Sequence, residues 1–253
     1  MDEGSNSGAR LVRMTRRGFI AGAAGSLAAV ARLSVSIKAI AFDAFAVFDP
    51  RSVLAFADAM YPATGLSDEW RMRQFEYTWL RVAARQYLDF WHVTEDALVF
   101  AANRLKLELS PDSRATLMNE YLRLSAWPDV VPALEPIRRS GVRLTILSNF
   151  TPRMLAANIA SAGLQGMFEQ VLSTDQVKSY KPDPLAYKIG VDALKIRREE
   201  VLFVAFAGWD AVGAKLFGYP TFWLNRQRLP REEMGVSSDG SGETLWDLVK
   251  FLT

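Results

Sequence analysis

Short apolar runs alternate with segments of helical pattern along much of the chain. The run 37–42 is mostly apolar and rich in β-prone residues, and it ends at a carboxylate, Asp43, which is the pattern of a buried strand. Helical segments separate the later runs, so the pattern predicts an α/β fold with a doubly wound parallel sheet. The later apolar runs are 142–147, 171–173, 201–205 and 221–224.

The stretch between the first two apolar runs has a helical pattern throughout. Ser67 is a residue type that favours the position before a helix, and aromatic or apolar residues recur after it at near-helical spacing. Thr94 precedes two acidic residues and predicts a second helix start, and Ser110 with Pro111 predicts a third. The recurring residues after Ser67 are Trp70, Phe75, Trp79 and Val82.

This helical block divides the strand pattern into two parts. One predicted strand precedes the block and the others follow it, so the simplest architecture is an α/β core with a helical cap inserted after the first strand. We therefore predict a core domain formed by residues 36–49 and 129–253, and a cap domain formed by residues 50–128.

Composition narrows the chemistry that such a fold can carry. The chain has 253 residues, of which 50% are hydrophobic and 23% charged, as in an ordinary globular protein. It contains no cysteine and a single histidine, His92. Thiol nucleophiles, disulfides and cysteine zinc sites are excluded, and a serine–histidine–aspartate triad would need His92. Carboxylates, lysines and arginines are therefore the candidates for catalysis.

Charge is concentrated at the N-terminus. Residues 1–31 hold four arginines against two acidic residues, whereas residues 32–253 carry equal numbers of basic and acidic side chains. A neutral body lacks the positive field that nucleic-acid binding usually needs. We therefore expect no nucleic-acid partner.

The N-terminal segment resembles a twin-arginine export signal. Arg16 and Arg17 precede a Gly-Phe-Ile sequence, an alanine- and glycine-rich run and an Ala-x-Ala cleavage pattern at 29–31. The apolar run is too short to span a bilayer as a stable helix. The resemblance implies export through the twin-arginine translocase, removal of residues 1–31 and a periplasmic location without stable membrane insertion. The alternatives are a buried N-terminal helix and a true start at Met14.

Polar side chains fall at or just after the ends of several predicted strands. They are Asp43, the pair Ser148 and Asn149, Lys181 and Asp210. Each alone has an ordinary interpretation, because an aspartate after a strand is often a helix cap and a lysine before proline fits a solvated loop. The carboxyl ends of parallel strands meet at one crevice, however. The set together therefore predicts a functional site.

These residues lie in motifs that resemble those of the haloacid dehalogenase superfamily. The motifs are Phe42-Asp43-x-x-x-x-Phe48-Asp49, Leu147-Ser148-Asn149, Tyr180-Lys181-Pro182-Asp183 and Trp209-Asp210-Ala211-x-Gly213-Ala214. Further motifs are similar to those of the type II L-2-haloacid dehalogenases in particular, and they lie within 70–81, 94–98 and 222–226. The resemblance covers the chain from about residue 37 to its C-terminus, and it implies a Rossmann-like core with an inserted helical cap.

The resemblance also implies a reaction. Asp43 would attack the α-carbon of a short L-2-haloalkanoate and expel halide, after which water would hydrolyse the aspartyl ester to a D-2-hydroxy acid. A carboxylate suits this role because it forms a covalent intermediate and is then regenerated. Lys181 would keep Asp43 ionised through its opposite charge. Asp210 would position and activate the water.

The same resemblance assigns the substrate-binding residues. Arg71 would meet the leaving halide or the substrate carboxylate, and Ser148 and Asn149 would orient the substrate. Tyr187 would lie near Lys181. Phe90 and Trp209 would form an apolar wall. The alternatives are that Arg71 is a surface charge and that the two aromatic residues belong to the ordinary core.

Metal and cofactor chemistry is not expected. The phosphatases of this superfamily need a second acid two residues after the nucleophile, and that position here is Phe45. Halide leaves as a stable anion and needs no proton, so the loss of the acid favours carbon–halogen cleavage. Mg²⁺ prefers several oxygen ligands, and we therefore expect no metal and no cofactor.

Several positions depart from the family pattern. Ala46 and Val47 stand where the family has glycine and threonine, Phe45 replaces an aromatic hydroxyl, and Ala205 and Ala207 stand near the usual serine and asparagine. Two hypotheses follow: a dehalogenase, with activity reduced by these losses, or a catalytically impaired relative that binds a small carboxylate. The resemblance and the aromatic-rich segment 70–81 also suggest a homodimer.

Overall fold

Six parallel strands form the centre of the fold. The computed structural model describes residues 36–253, and within them the strands follow the order β3-β2-β1-β4-β5-β6, with every neighbouring pair parallel. The predicted doubly wound parallel sheet is confirmed. The strands are β1 (Ala39–Phe42), β2 (Arg143–Ser148), β3 (Gln170–Ser173), β4 (Val201–Ala205), β5 (Thr221–Leu224) and β6 (Gly240–Gly242).

Ten α-helices accompany the sheet within the described residues. Four of them, α2 to α5, come between β1 and β2 as the helical block, and α6 follows before β2. The helices are α1 (Ala44–Val47), α2 (Arg51–Met60), α3 (Leu66–Ala84), α4 (Phe90–Arg104), α5 (Pro111–Glu120), α6 (Val130–Arg139), α7 (Pro152–Ser161), α8 (Pro184–Leu194), α9 (Gly208–Phe217) and α10 (Leu245–Leu252).

Two predicted helix starts are wrong and one is right. Helix α3 begins one residue before Ser67, after Gly65 in a left-handed conformation (φ 74°). Helix α4 begins four residues before Thr94, because the Asp89 side chain accepts a hydrogen bond from a backbone N–H of the first turn and caps the helix there. Ser110 does cap α5, with Pro111 at the first helical position.

The chain leaves the sheet and returns to it at adjacent points. Phe48 and Ala126 form an antiparallel bridge, and the backbone N–H of Trp127 donates to the Val47 carbonyl at 3.0 Å. These pairings bracket the helical block between the end of α1 and the start of α6. The division into a core of 36–49 and 129–253 and a cap of 50–128 stays a prediction.

Successive residues of β1 pack on opposite faces of the sheet. Ile40 and Phe42 belong to a hydrophobic cluster that continues into the helical block through Trp70 and Phe90, whereas Ala41 belongs to a second cluster under α8 and α9. This alternation follows from the two-residue period of a strand. The helical block and one face of the sheet therefore share a continuous apolar interior.

One buried carboxylate, Asp129, connects the start of α6 to the C-terminal part of the chain. Arg226 donates to both carboxylate oxygens of Asp129, at 2.8 and 3.0 Å, and the backbone N–H of Leu245 donates to the same carboxylate at 2.8 Å. Both charged side chains are largely buried. The pair joins the start of α6 to the segment after β5, and the same carboxylate also holds the start of α10. This gives a structural reason for Arg226 in the 222–226 motif.

We expect Arg226→Met to lower the free energy of unfolding by about 3 kcal/mol, because it leaves the Asp129 carboxylate buried without its cation. Urea denaturation measures the loss. The matched control is Arg228→Met, since Arg228 pairs with Glu243 on the exposed surface at 2.8 Å, where an ion pair adds little to stability. Equal losses in the two variants would contradict the argument.

Candidate active site

The candidate nucleophile lies where the sheet changes its direction of winding. Strand β1 stands between β2 and β4, and Asp43 follows β1 directly, with its backbone N–H donating to Val204 of β4 at 2.9 Å. Crevices at such switch points are the usual ligand sites of doubly wound sheets. One carboxylate oxygen of Asp43 accepts from the backbone N–H of Phe45 at 3.0 Å and so caps α1. The other oxygen is left for a second partner.

That partner is Lys181, whose side chain is 1% exposed. Its Nζ donates to Asp43 Oδ1 and to Asp210 Oδ2, each at 2.9 Å. Burial acts to lower the pKa of Lys181, but the charges of Asp210 and Asp43 outweigh it and raise the pKa above its usual value. The lysine is therefore a permanent cation between two carboxylates, and the interpretation as a solvated loop residue is wrong.

The second carboxylate, Asp210, lies in the first turn of α9, and two side chains from outside that helix donate hydrogen bonds to it. Lys181 binds one oxygen, and Tyr187 Oη donates to the other at 2.7 Å. Burial raises the pKa of Asp210 to about 6, while the Lys181 charge and the Tyr187 hydrogen bond oppose this rise and the Asp43 charge adds to it. A carboxylate with such a pKa is a competent base at neutral pH.

A glycine makes room for this arrangement. A Cβ at Gly213 would lie 2.4 Å from Tyr187 Oη and 2.7 Å from Pro182. Any larger residue would push Tyr187 away from Asp210. The glycine of the Trp209-Asp210-Ala211-x-Gly213 motif thus has a packing reason.

Asn149 and Ser148 reach the same crevice from the end of β2. The Asn149 carbonyl oxygen accepts from the backbone N–H of Lys181 at 3.0 Å and from the Thr174 hydroxyl at 3.3 Å, which leaves the amide N–H₂ as the group that a ligand can use. Ser148 Oγ accepts from the backbone N–H of Phe150 at 3.0 Å, so its own proton is available to a ligand. Both side chains line the pocket in front of Asp43.

Arg71 faces the crevice from α3. Its guanidinium lies against the rings of Phe45 and Phe75, with 4.4 and 4.6 Å between the guanidinium carbon and the ring centres. Burial lowers the pKa of Arg71, and the nearby Tyr121 and Asp43 oppose that effect. Arg71 is thus a desolvated cation at the pocket and not a surface charge.

The remaining walls are mostly aromatic. Phe90 and Trp209 line the pocket as the resemblance implies, and Trp209 also packs edge-on against Phe75 at 5.4 Å. The pocket spans about 360 Å³ of empty space, part of it open to solvent. Its lining is Asp43, Phe45, Arg71, Phe75, Phe90, Ser148, Asn149, Phe150, Phe206, Ala207, Trp209 and Asp210.

Sequence reasoning missed some of these walls. Phe75, Phe150 and Phe206 were not predicted as site residues, although Phe150 follows closely on β2 and Phe206 directly follows β4. The strand-end argument covers such positions for apolar residues as well as polar ones. Phe75 follows Arg71 by four residues, which places both on one side of α3.

The departures from the family pattern lie at different depths. Phe45 and Ala207 are part of the pocket lining, whereas Val47 and Ala205 are fully buried and outside it. Val47 is tied to the return segment through its backbone carbonyl, and Ala205 lies in the cluster under α8 and α9. The loss of polar groups therefore changes the pocket surface at Phe45 and Ala207.

The arrangement suits nucleophilic catalysis by a carboxylate. Asp43 has a cation at its side, a desolvated arginine near it and an apolar chamber in front of it, and Asp210 stands behind the same lysine as a base. Across residues 36–253, no group of three or more histidine, aspartate or glutamate side chains is placed to hold a metal ion. Within the same residues, no helix is both long and apolar enough to cross a membrane.

Comparisons with known proteins identify the family. Residues 37–218 match the family model of the haloacid dehalogenase-like hydrolases. The (S)-2-haloacid dehalogenase of Pseudomonas sp. (strain YL) is 43% identical over 206 residues, which span 80% of this chain and 89% of that protein. All the predicted site residues fall within the part of the chain that the family model covers.

Solved structures give the same result. The crystal structure of the L-2-haloacid dehalogenase RSc1362 is 44% identical and matches 86% of this chain and 99% of its own, with a TM-score of 0.84. The L-2-haloacid dehalogenase from Xanthobacter autotrophicus, solved with chloropropionic acid covalently bound, is 32% identical over 85% of this chain and 98% of its own, with a TM-score of 0.78. The chain therefore belongs to the haloacid dehalogenase-like hydrolase family.

Proposed function

We propose that this protein hydrolyses short L-2-haloalkanoates to halide and D-2-hydroxy acids through an ester formed on Asp43. The observation that carries the proposal is the buried Lys181, which holds Asp43 and Asp210 at 2.9 Å each on the floor of an aromatic pocket. The names of the similar proteins, (S)-2-haloacid and L-2-haloacid dehalogenases, support the same substrate class.

In the first step an Asp43 oxygen attacks the substrate's α-carbon from the side opposite the halogen. A carbon–oxygen bond forms, the carbon–halogen bond breaks, and the halide leaves with the bonding electrons. Lys181 keeps the nucleophile ionised, and the desolvated Arg71 charge stabilises the departing anion. Backside attack inverts the configuration at the α-carbon.

In the second step water attacks the carbonyl carbon of the Asp43 ester while Asp210 accepts its proton. Collapse of the tetrahedral intermediate breaks the bond between that carbon and the product oxygen, which takes the proton back from Asp210. The Asp43 carboxylic acid that remains loses its proton to solvent, and the carboxylate is restored. The backbone N–H of Phe45 and the Lys181 ammonium already donate to the two Asp43 oxygens. One of these oxygens becomes the ester oxygen and the other carries the oxyanion, so the donor on the remaining oxygen is placed to stabilise it.

Halide release from the two enantiomers of 2-chloropropionate tests the function. We expect steady release from the L form, little from the D form and none from the Asp43→Asn variant. Tight binding of the L form without release would support the impaired, carboxylate-binding relative instead. Release by the variant at the wild-type rate would remove Asp43 from the mechanism.

The pKa of Asp210 predicts an acid limit to turnover. Because the base must be ionised, we expect kcat to fall as the pH drops through about 6. The Tyr187 hydrogen bond lowers the pKa of Asp210, so Tyr187→Phe should move the limit to higher pH. Tyr219→Phe is the matched control, since the Tyr219 hydroxyl bonds the Tyr187 carbonyl and not the carboxylate. An unmoved limit in Tyr187→Phe would contradict this assignment of the base.

We also propose that residues 1–31 are a twin-arginine signal, a segment outside the described residues. The support is the sequence pattern around Arg16 and Arg17. Changing both to lysine should leave the precursor in the cytoplasm, and the exported protein should begin near Arg32. Fractionation with N-terminal sequencing measures both results. An intact N-terminus on exported protein would contradict the cleavage.

A homodimer is the last part of the proposal. Met72, Trp79 and Leu80 leave large apolar surfaces exposed on α3, and such patches favour association. Trp70 of the same segment is buried and contributes nothing to that surface. Sedimentation velocity tests the proposal, and a monomer at all concentrations would contradict it.

A further inference from the structure

A buried amide lies behind the pocket arginine. Gln74 is fully buried on α3, three residues after Arg71, and its carbonyl oxygen lies 3.5 Å from Arg71 Nη1. Its amide nitrogen lies 2.6 Å from the Thr94 hydroxyl on α4. That hydroxyl lies 2.6 Å from the Phe90 carbonyl in the first turn of α4.

These contacts form a hydrogen-bond relay from Arg71 through Gln74 and Thr94 to the Phe90 carbonyl. The groups at the two ends of the relay fix the direction of each hydrogen bond in it. A guanidinium only donates and a backbone carbonyl only accepts. The Thr94 hydroxyl donates its one proton to the Phe90 carbonyl. It can therefore only accept a hydrogen bond from Gln74. Gln74 must then turn its N–H₂ group to Thr94 and its carbonyl oxygen to Arg71. The hydrogen-bond partners thus allow only one of the two possible orientations of the Gln74 amide.

The relay connects two helices at the pocket. Arg71 on α3 and Phe90 on α4 both line it, and the Trp70 indole N–H adds a second tie by donating to the Thr94 carbonyl at 2.8 Å. The aromatic rings against the guanidinium are apolar and give it no directional partner. The Tyr121 hydroxyl also hydrogen-bonds the guanidinium and Gln74, and the Gln74 oxygen is the acceptor on the same helix that gives the guanidinium a direction.

We propose that Gln74 is a positioning residue that aims the Arg71 guanidinium at the anion bound in the pocket, and that Thr94 locks Gln74 in the required orientation. A neutral amide suits this task, because a carboxylate at the same place would neutralise the charge that the anion needs. The proposal rests on the proposed function, in which Arg71 meets the halide or the carboxylate. It adds two residues that do not touch the substrate.

Bromide binding gives a readout that does not depend on turnover. Bromide is titrated into the full-length protein while the tryptophan fluorescence is followed, to which Trp209 in the pocket lining contributes. We expect Gln74→Leu and Thr94→Val each to weaken bromide binding about tenfold, the effect of losing one buried hydrogen bond of about 1.4 kcal/mol. Thr94→Ser keeps the hydroxyl and should bind bromide as the wild type does. Thr221→Val, a buried threonine on β5 outside the relay, should also bind normally.

Gln74→Glu separates positioning from a merely structural role. At neutral pH its carboxylate should pair with Arg71 and weaken bromide binding more than Gln74→Leu does. Acidification should restore the binding as that carboxylate takes up a proton, whereas a packing defect would not respond in this way. Thermal denaturation of every variant checks that it is folded.

The outcomes separate the two claims. Wild-type bromide affinity in Thr94→Val and Gln74→Leu, equal weakening in Thr94→Ser, or no bromide binding by the wild-type protein would overturn the relay. Bromide binding by the wild type without halide release from L-2-chloropropionate would overturn the proposed function and leave the relay standing.

Discussion

Replacing Lys181 with methionine is expected to lower the rate of halide release by at least about 10³, the effect of losing a preorganised charge at a reacting group. The lysine donates to both carboxylates of the site at 2.9 Å. Without it, Asp43 and Asp210 repel each other in a buried place, so one of them takes up a proton. A protonated Asp43 is no nucleophile.

The same variant should be less stable by about 3 to 5 kcal/mol, because two buried carboxylates lose their cation. Their pKa values then lie above those of the unfolded chain, so stability should be highest at acid pH and fall as the pH rises through those values. Urea denaturation across the pH range measures this. Adding Asp43→Asn to Lys181→Met should recover part of the stability and none of the activity. Stability of Lys181→Met equal to wild type at pH 8 would contradict the ion-pair argument.

Asp210→Asn is expected to stop the second step and spare the first. Asparagine keeps the shape of the side chain: its carbonyl oxygen accepts from Lys181, and its N–H₂ group donates to the Tyr187 hydroxyl, which now accepts. Lys181 still stabilises the Asp43 carboxylate. The variant lacks the base that takes a proton from water, a contribution of about 10² to 10⁴ in rate. Halide should therefore appear once per active site, with almost no turnover afterwards.

Quenched-flow halide measurement and mass spectrometry test this together. We expect a burst of one halide per site and an adduct of the substrate's mass on the peptide that contains Asp43. The wild type should show the same adduct more weakly, since Phe45 and Ala207 deprive the pocket of polar groups that the ester hydrolysis would use. Full multiple turnover by Asp210→Asn would remove Asp210 as the base.

The sheet was predictable because its strands are buried on both faces. Such strands appear in the sequence as short apolar runs, and all five predicted runs became strands. Strand β6, with the sequence Gly-Ser-Gly, was not predicted, because it stands at the edge of the sheet and carries no apolar side chain. The start of α4 was missed because the aspartate that caps it stands before aromatic residues that gave no boundary signal of their own.

The polar residues that the sheet brings to the site were also predictable from the sequence. The residues that the helical block contributes were not. Ser148 ends a strand, Asp43, Lys181 and Asp210 come after strands, and the geometry of parallel strands brings the four together. Arg71 reaches the pocket only because the helical block packs over the sheet, a contact between distant parts of the chain. Only the family resemblance predicted the position of Arg71. Nothing in the sequence predicted its contact with the buried Gln74.

The substitutions near the nucleophile differ in how close they lie to the pocket, and the sequence motif alone does not show this difference. The pattern marks Val47 and Ala205 as losses of polar groups close to the reaction, yet both are buried outside the pocket lining. Phe45 is different, because its ring faces Arg71 and its backbone N–H still donates to Asp43. The backbone thus retains a donor at the carboxylate that no side-chain comparison would reveal.

A single turnover in water enriched in ¹⁸O tests the central claim, that Asp43 forms an ester with the substrate. With protein in excess over L-2-chloropropionate, water attacks the ester carbonyl carbon, so the label should enter the Asp43 carboxylate and be absent from the hydroxy acid. Mass spectrometry of the peptide containing Asp43 and of the product measures both. Label found only in the hydroxy acid would show that water attacks the substrate directly and would contradict the account.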